Sequence, residues 1–355
     1  MEFIEKEFLK VCGCGPYATY ADLLASSAAI LDFKVPVGQS IRLGSQATPN
    51  TFNTWSFSDL RSITGSASFL YSSIPIPITP SSLAPLGSLC EQFCEDSDPT
   101  VPRRTGTLLF GKMDLAGQSL EAMAIQKVGA TQIIAKWVCD PRLPKPVIAT
   151  TTLQRFGKHS TTEFIFSTHE NLMGFRTLHN IAEWSDASSF HSTLAAGLEV
   201  FYAASKKAPG ASIATRYSTY SKVTATPLTI TTVLNPLMGN ISIAYALKPT
   251  RLVALSSRFD FNFYSYGSDL TFGCELWRTE PISRLVETKS SLMSMFKAST
   301  SLASQTAKFL WETSFKEILI STGVTVCYGN LSIPVGVGVE LTYAVSDVNP
   351  TKDPR

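Results

Sequence analysis

Four histidines, a close-set cysteine pair and one short glycine pair are the residues of this 355-residue chain whose types could do chemistry. His159, His169, His179 and His191 have the ring nitrogens for metal ligation or proton transfer, but none stands at ligand spacing from a cysteine. They read as pore-side or loop residues. The seven cysteines are odd in number and irregularly spaced, which is not a disulfide framework. Cys90 and Cys94 lie in a loop and would pair only in an oxidising compartment, so they read as thiols. Gly336-x-Gly338 opens no helix and cannot cradle a phosphate. It reads as room for close backbone approach. Arg258 and Asp260, two residues apart, form a structural ion pair on this reading, because no nucleophile or third group accompanies them. No catalytic constellation, metal site or cofactor is expected, and the chain does not read as an enzyme.

The elements that would hold such residues are nearly all strands. In Val335 to Val345 every odd position is apolar, and the even ones are Gly336, Gly338, Glu340, Thr342 and Ala344. Between Val253 and Phe263 one parity reads Val253, Leu255, Ser257, Phe259, Phe261 and Phe263, the other Ala254, Ser256, Arg258, Asp260 and Asn262. Successive side chains of a strand point to opposite faces, so each segment is a ribbon with one greasy and one wet face. Only 16% of the chain is charged although 44% is hydrophobic, where a soluble domain carries roughly 25% charged residues. No run approaches the ~20 apolar residues a spanning helix needs. Apolar residues dispersed with period two, in strands of about 10 residues, suit a transmembrane β-barrel; a soluble β-sandwich shares the local pattern. A net charge of +2 without a basic tract gives no ground for nucleic-acid binding.

Residues 1–31 carry Phe3, Ile4, Phe8, Leu9, Tyr17, Tyr20, Leu23, Leu24 and Leu31 near helical spacing. The opening Met-Glu-Phe-Ile-Glu-Lys-Glu-Phe lacks the basic region and apolar core of a secretory signal, and its acidic residues disfavour a cleavable presequence. The triplets Asn240-Ile-Ser242 and Asn330-Leu-Ser332 are therefore expected to stay unglycosylated. From Gly38 onward the chain alternates strand and turn, with turns expected at 157–160, 208–210 and Gly329-Asn330. Ile134 breaks the alternation of Ile133, Ala135 and Trp137. Cys139, Cys274 and Cys327 are placed on the apolar parity. The count is eighteen or nineteen strands across 37–345, with long connections at 74–104 and 280–294, in one domain spanning 1–355. A sheet of that size rarely stays open, and closure removes both edges. The wet parity offers Arg42, Lys112, Lys136, Glu199, Arg216, Arg258, Asp260 and Glu340, mixed in sign. Two outward aromatic rows stand out: Phe69 with Tyr71, and Phe259, Phe261 and Phe263. They suit lipid contact or the docking of other membrane proteins.

These residues carry a resemblance. Leu31-Asp-Phe33, Thr48-Pro-Asn-Thr-Phe-Asn53, Gly65-Ser-Ala-Ser-Phe-Leu-Tyr-Ser72, Leu120-Glu-Ala-Met123, Ile165-Phe-Ser-Thr168, Leu178-His-Asn180, Asn235-Pro236, Arg258-Phe-Asp-Phe-Asn262, Phe272-Gly-Cys-Glu-Leu-Trp277 and Phe309-Leu-Trp-Glu312 follow one another in the order seen in a fungal family. Over essentially its whole length the chain resembles the mitochondrial distribution and morphology protein 10 family. The resemblance implies a nineteen-stranded barrel of the mitochondrial outer membrane, similar in build to mitochondrial porin, with the N-terminal helical segment inside the pore. An odd strand number makes the first and last strands pair in parallel, here about 37–46 against 331–345. The resemblance also implies an insertion signal at the last strand in which Gly338, Leu341 and Tyr343 fill three defined places; Gly336 stands where a polar residue is usual. It implies a non-catalytic adaptor with two sets of partners. One is the tethering subunits of the ER–mitochondria encounter structure, at contact sites serving phospholipid exchange, morphology and inheritance. The other is the core barrel and peripheral subunits of the sorting and assembly machinery, in β-barrel biogenesis and import-translocase assembly. Membrane lipid is the remaining partner. The alternative is a porin-like metabolite channel. If the barrel reading holds, the chain stays in the membrane pellet after alkaline carbonate extraction, whereas a soluble β-sandwich is released.

Overall fold

Runs of eight to fourteen residues rich in Thr, Val, Ile and aromatic side chains, each closed by a turn cluster, fold as strands because branched and ring side chains pack well on a pleated surface. The computed structural model describes residues 4–5, 8–9, 12, 19–58, 64–75, 105–142, 146–157, 159–185, 190–221, 226–250, 252–279, 292–315, 318–329 and 333–346. The strands are β1 Gly38–Thr48, β2 Thr51–Ser58, β3 Thr64–Ser72, β4 Gly106–Asp114, β5 Leu120–Val128, β6 Thr131–Cys139 and β7 Val147–Phe156. They continue with β8 Ser160–Ser167, β9 Leu172–Ser185, β10 Phe190–Ala203, β11 Ala208–Ser221, β12 Pro227–Asn235 and β13 Asn240–Thr250. The last six are β14 Val253–Asn262, β15 Ser268–Thr279, β16 Leu292–Ser301, β17 Thr306–Phe315, β18 Ile318–Cys327 and β19 Ile333–Ser346.

All nineteen belong to one sheet in which each strand pairs antiparallel with its sequence neighbour. The exception closes the barrel: β1 pairs with β19 in parallel, from Gly38 opposite Gly338 to Gln46 opposite Ser346. With an odd number of strands the last runs in the same direction as the first, so the seam must be parallel. This is the transmembrane β-barrel expected from the sequence. Turns after odd-numbered strands lie on one rim, which also carries the connections from β3 to β4 and from β15 to β16. Turns after even-numbered strands lie on the other. The first is called the long-loop rim and the second the short-turn rim. Most of those two connections, with Cys90 and Cys94, lies outside the described residues.

Side-chain parity divides the wall into two surfaces. Leu43, Trp55, Met113, Trp137, Phe166, Val200, Phe272 and Val339 are among the large apolar residues exposed on the outside. Lys127, Gln132, Glu163, Arg216, Glu275 and Lys297 are buried on the inside. An apolar exterior with a polar interior is the arrangement lipid requires.

Three local readings are corrected. Ala208, Pro209 and Gly210 belong to β11, opposite Ala203, Tyr202 and Phe201; the turn falls at 204–207, where Lys207 takes a positive φ of 51°. Cys327 shares the inner parity of Ser321 and Gly323, because it pairs with the inward Thr306. The N-terminal segment is not one helix. Its described helical parts include a 3-10 turn at Tyr20–Asp22 and α1 at Ala25–Leu31. Phe3 and Tyr17 of that reading lie outside the described residues.

Ile134 has a clear reason for breaking the pattern. It points inward with Leu108, Met123 and Ile125 and forms an apolar cluster with Phe8, Cys12 and Ile74. Apolar residues on the inner parity of β4–β6 therefore receive the N-terminal segment. Ile134→Asn leaves a polar amide against Phe8, at a cost of about 1–3 kcal/mol for an unpartnered buried group. Limited proteolysis in membranes is expected to cut the N-terminal segment faster in this variant, while the barrel itself stays protected.

Candidate functional site

The inner wall is a docking surface for the chain's own N-terminus, built from three kinds of contact. Apolar clusters come first. Beyond the one around Phe8, Tyr20 and Leu23 pack with Leu178, Ala195 and Ala214, and Ile30 packs with Ala246 and Ala254. Small inward residues on β13 and β14 leave the helix room to lie against the wall. Hydrogen bonds then fix it. The Tyr20 hydroxyl is 2.9 Å from Ser212 Oγ, and Ser26 Oγ is 3.1 Å from Thr229 Oγ1. Thr231 donates to the Leu23 carbonyl at 3.2 Å.

Charge is the third kind. Arg258 spreads its guanidinium over both carboxylate oxygens of Asp32, at the end of α1, and also reaches Asp260 at 3.1 Å. Lys297 donates to the Ala29 carbonyl at 3.1 Å and pairs with Glu275 at the same distance. Trp277 Nε1 donates to Glu275 at 2.6 Å. Lys127, 1% exposed, donates to the Cys12 carbonyl at 3.3 Å, and Lys136 pairs with Glu5 at 2.8 Å. Two cations thus meet backbone carbonyls of the segment, as a buried ammonium must find an acceptor. A second network sits under Tyr20: Ser212 donates to Glu199, Arg176 bonds Glu199 at 2.6 Å and stands 3.8 Å from Glu163, and Gln154 donates to Glu163 at 3.2 Å.

Glycines mark where this segment presses hardest on the wall. A Cβ on Gly197 would stand 2.6 Å from the Tyr20 ring, and one on Gly273 would stand 2.8 Å from Leu31. On Gly323 it would meet Val35 at 2.6 Å, and on Gly338 the Pro36 carbonyl oxygen, closer still. The close approach expected at Gly338 is therefore real, but the neighbour is the linker entering β1. Gly336, with Val37 at 3.5 Å, makes only ordinary contact.

The remaining sequence candidates fall in separate places. Arg42 and Glu340 face the lumen and pair at 2.9 Å across the parallel seam. Leu341 and Tyr343 stand opposite Ile41 and Leu43 of β1, on the outer face. Phe69 and Tyr71 point outward, exposed by 50% and 38%, near the long-loop rim. Phe259 and Phe261 also point outward, with ring centroids 6.4 Å apart, but β14 runs the other way and puts them toward the short-turn rim. Passing from β14 through the seam to β3 takes eight strand-to-strand steps and the other way takes eleven. The two pairs thus lie on nearly opposite sides of the barrel and at opposite rims. Among the described residues no group of three or more His, Cys, Asp or Glu side chains is placed to hold a metal ion.

A closed, odd-stranded wall with an apolar outside, holding its own N-terminal segment against the inside, defines a transmembrane β-barrel with a partly self-occupied lumen. The sequence pattern of the mitochondrial distribution and morphology protein 10 family matches residues 1–292 and 284–345. The protein of that description from Yarrowia lipolytica is 33% identical over 362 residues, 97% of this chain and 99% of the relative. That from Meyerozyma guilliermondii is 30% identical over 413 residues, with the same two coverages. That from Scheffersomyces stipitis is 32% identical over 319 residues, 83% of this chain and 67% of the relative. The chain belongs to the mitochondrial distribution and morphology protein 10 family.

Sequence reasoning missed Asp32, Lys127, Glu275 and Lys297 as anchors. Their signal was the exceptions to alternation: inward apolar residues and inward glycines, which a water-filled pore does not need. The Asp32–Arg258 clasp gives a direct test. Asp32→Asn and Arg258→Gln are each expected to loosen the segment, and the double variant to cost less than their sum. Asp32 is half exposed, so solvent screening limits the coupling to about 1 kcal/mol. The labelling rate of Cys12, buried between the segment and the wall, reads the loosening in a chain whose other cysteines are replaced.

Proposed function

We propose that this protein is a non-catalytic adaptor of the mitochondrial outer membrane. On this reading it anchors the ER–mitochondria encounter structure through one outward aromatic row. Through the other it joins the sorting and assembly machinery during β-barrel biogenesis and import-translocase assembly. The family, named for mitochondrial distribution and morphology, supports the general role. The observation that carries the two-partner form is the placement of Phe69 with Tyr71 and of Phe259 with Phe261 on nearly opposite sides and at opposite rims. Two membrane partners can approach such rows without colliding. Exposed aromatic side chains are the usual anchors of interfaces.

The lumen argues the same way. Contacts from Glu5 to Val37 hold the N-terminal segment to the wall at β4–β7, β9–β16, β18 and β19. A metabolite channel would have to release many of them to widen its pore. Contact sites with the endoplasmic reticulum are the location that tethering requires, and lipid moving between the two membranes is its consequence.

The test separates the rows. Phe69→Ala with Tyr71→Ala, and Phe259→Ala with Phe261→Ala, are expressed as tagged full-length chains, and the complexes are purified from gently solubilised mitochondria. Each pair is expected to lower recovery of one set of subunits at least tenfold and leave the other unchanged. Equal recovery of both sets from both variants reduces the rows to lipid contacts. Large, stable conductance steps from the reconstituted protein would move its function to the pore.

A further inference from the structure

The outer wall carries almost no charge. Among the described outward-facing strand positions only Arg155 and Arg278 are permanently charged. Each is the last residue but one of its strand, β7 and β15, and both strands end at the long-loop rim. Both are exposed, and neither has a hydrogen-bond or ion-pair partner among the described residues. Burial of such a charge in hydrocarbon is costly, so position alone sets both at headgroup level.

Their surroundings repeat. Arg155 stands opposite Thr162, which stands opposite Thr177. Arg278 stands opposite Ser294, which stands opposite Thr313. One step deeper on the same outward parity, Leu153 lies beside Phe164 and Phe175, whose rings are 5.1 Å apart. The corresponding row by Arg278 is Leu276, Phe296 and Trp311. Each place therefore presents a guanidinium and two hydroxyls at the membrane edge, above one leucine and two aromatic rings facing the hydrocarbon.

We propose that these are two binding sites for anionic phospholipid. A guanidinium forms paired, charge-assisted hydrogen bonds with phosphate oxygens, hydroxyls on the next two strands donate to those that remain, and the leucine and rings pack along an acyl chain. The lipid is the occupant because the donors crown an apolar wall in one continuous face, which a free anion would not use. Eight strand steps separate β7 from β15, so the two lipids bind independently. This inference stands apart from the partner assignments above.

Purified full-length protein in non-ionic detergent is offered phosphatidylglycerol or phosphatidylcholine, and bound lipids are counted by native mass spectrometry. The wild type is expected to retain two phosphatidylglycerol molecules, with a preference of about fivefold per arginine. Arg155→Gln and Arg278→Gln each lose one, and the double variant treats both lipids alike. Heat-modifiable migration verifies that the variants are folded. Arg155→Lys with Arg278→Lys, which keeps the charge, is expected to weaken the preference and supplies the measurement if the glutamine pair does not fold. Equal retention of the two lipids by the wild type overturns the proposal, as does undiminished preference in a folded double glutamine variant or in the lysine pair. Displacement by excess inorganic phosphate assigns the sites to a free anion and overturns the lipid.

Discussion

Inside hydrocarbon a backbone amide or carbonyl has no water to bond, so a sheet can cross a membrane only when no strand edge is left open. The parallel pairing of β1 with β19, from Gly38 opposite Gly338 onward, meets that condition here. Once the wall is closed, the pleat decides everything about its two surfaces. Each side chain faces either lipid or lumen, with no third choice, and a one-residue slip would exchange the two sets along a whole strand. The seam also places Glu340 within 2.9 Å of Arg42 and brings Gly338 beneath Pro36, so the closing pair is also where the N-terminal segment enters the wall.

A barrel of nineteen strands encloses more space than its inner side chains fill. This chain uses part of that space for residues preceding β1. The segment is not a rod dropped into a pore. Phe8, Tyr20, Ile30 and Leu31 each meet a patch made for them: apolar residues on β4–β6, a glycine on β10, alanines on β13 and β14, and a glycine on β15. Lys127, Arg258 and Lys297 then tie it by charge to the carbonyls of Cys12 and Ala29 and the carboxylate of Asp32. Hydrophobic contact supplies the burial, and the ion pairs and carbonyl acceptors prevent their own cations from being stranded away from water. Arg258 is thus a structural anchor, holding Asp32 of the segment and Asp260 of its own strand.

The outer surface shows the opposite economy. Most large outward side chains are apolar, so the permanent charges on that face are informative. Aromatic rings such as Trp55, Trp137, Phe272 and Trp311 are spread over this surface, whereas Arg155 and Arg278 add charge at one rim.

Much of this was legible beforehand because the strand period is local. Val253 to Phe263 and Val335 to Val345 declare their faces without any knowledge of their neighbours, and dispersed apolar residues with little charge exclude a spanning helix. Strand number and the parallel seam followed from counting together with the resemblance. The turn at 204–207 was misplaced onto Ala208-Pro-Gly210, because those residues favour a turn locally while cross-strand pairing holds them in β11. By itself the sequence determined which parity meets lipid, since that depends only on neighbours two residues away. Only the tertiary structure decided which inner residues meet the N-terminal segment and at which rim each aromatic pair lies. Those facts join positions as far apart as Asp32 and Arg258, 226 residues along the chain, and depend on the direction in which each strand happens to cross.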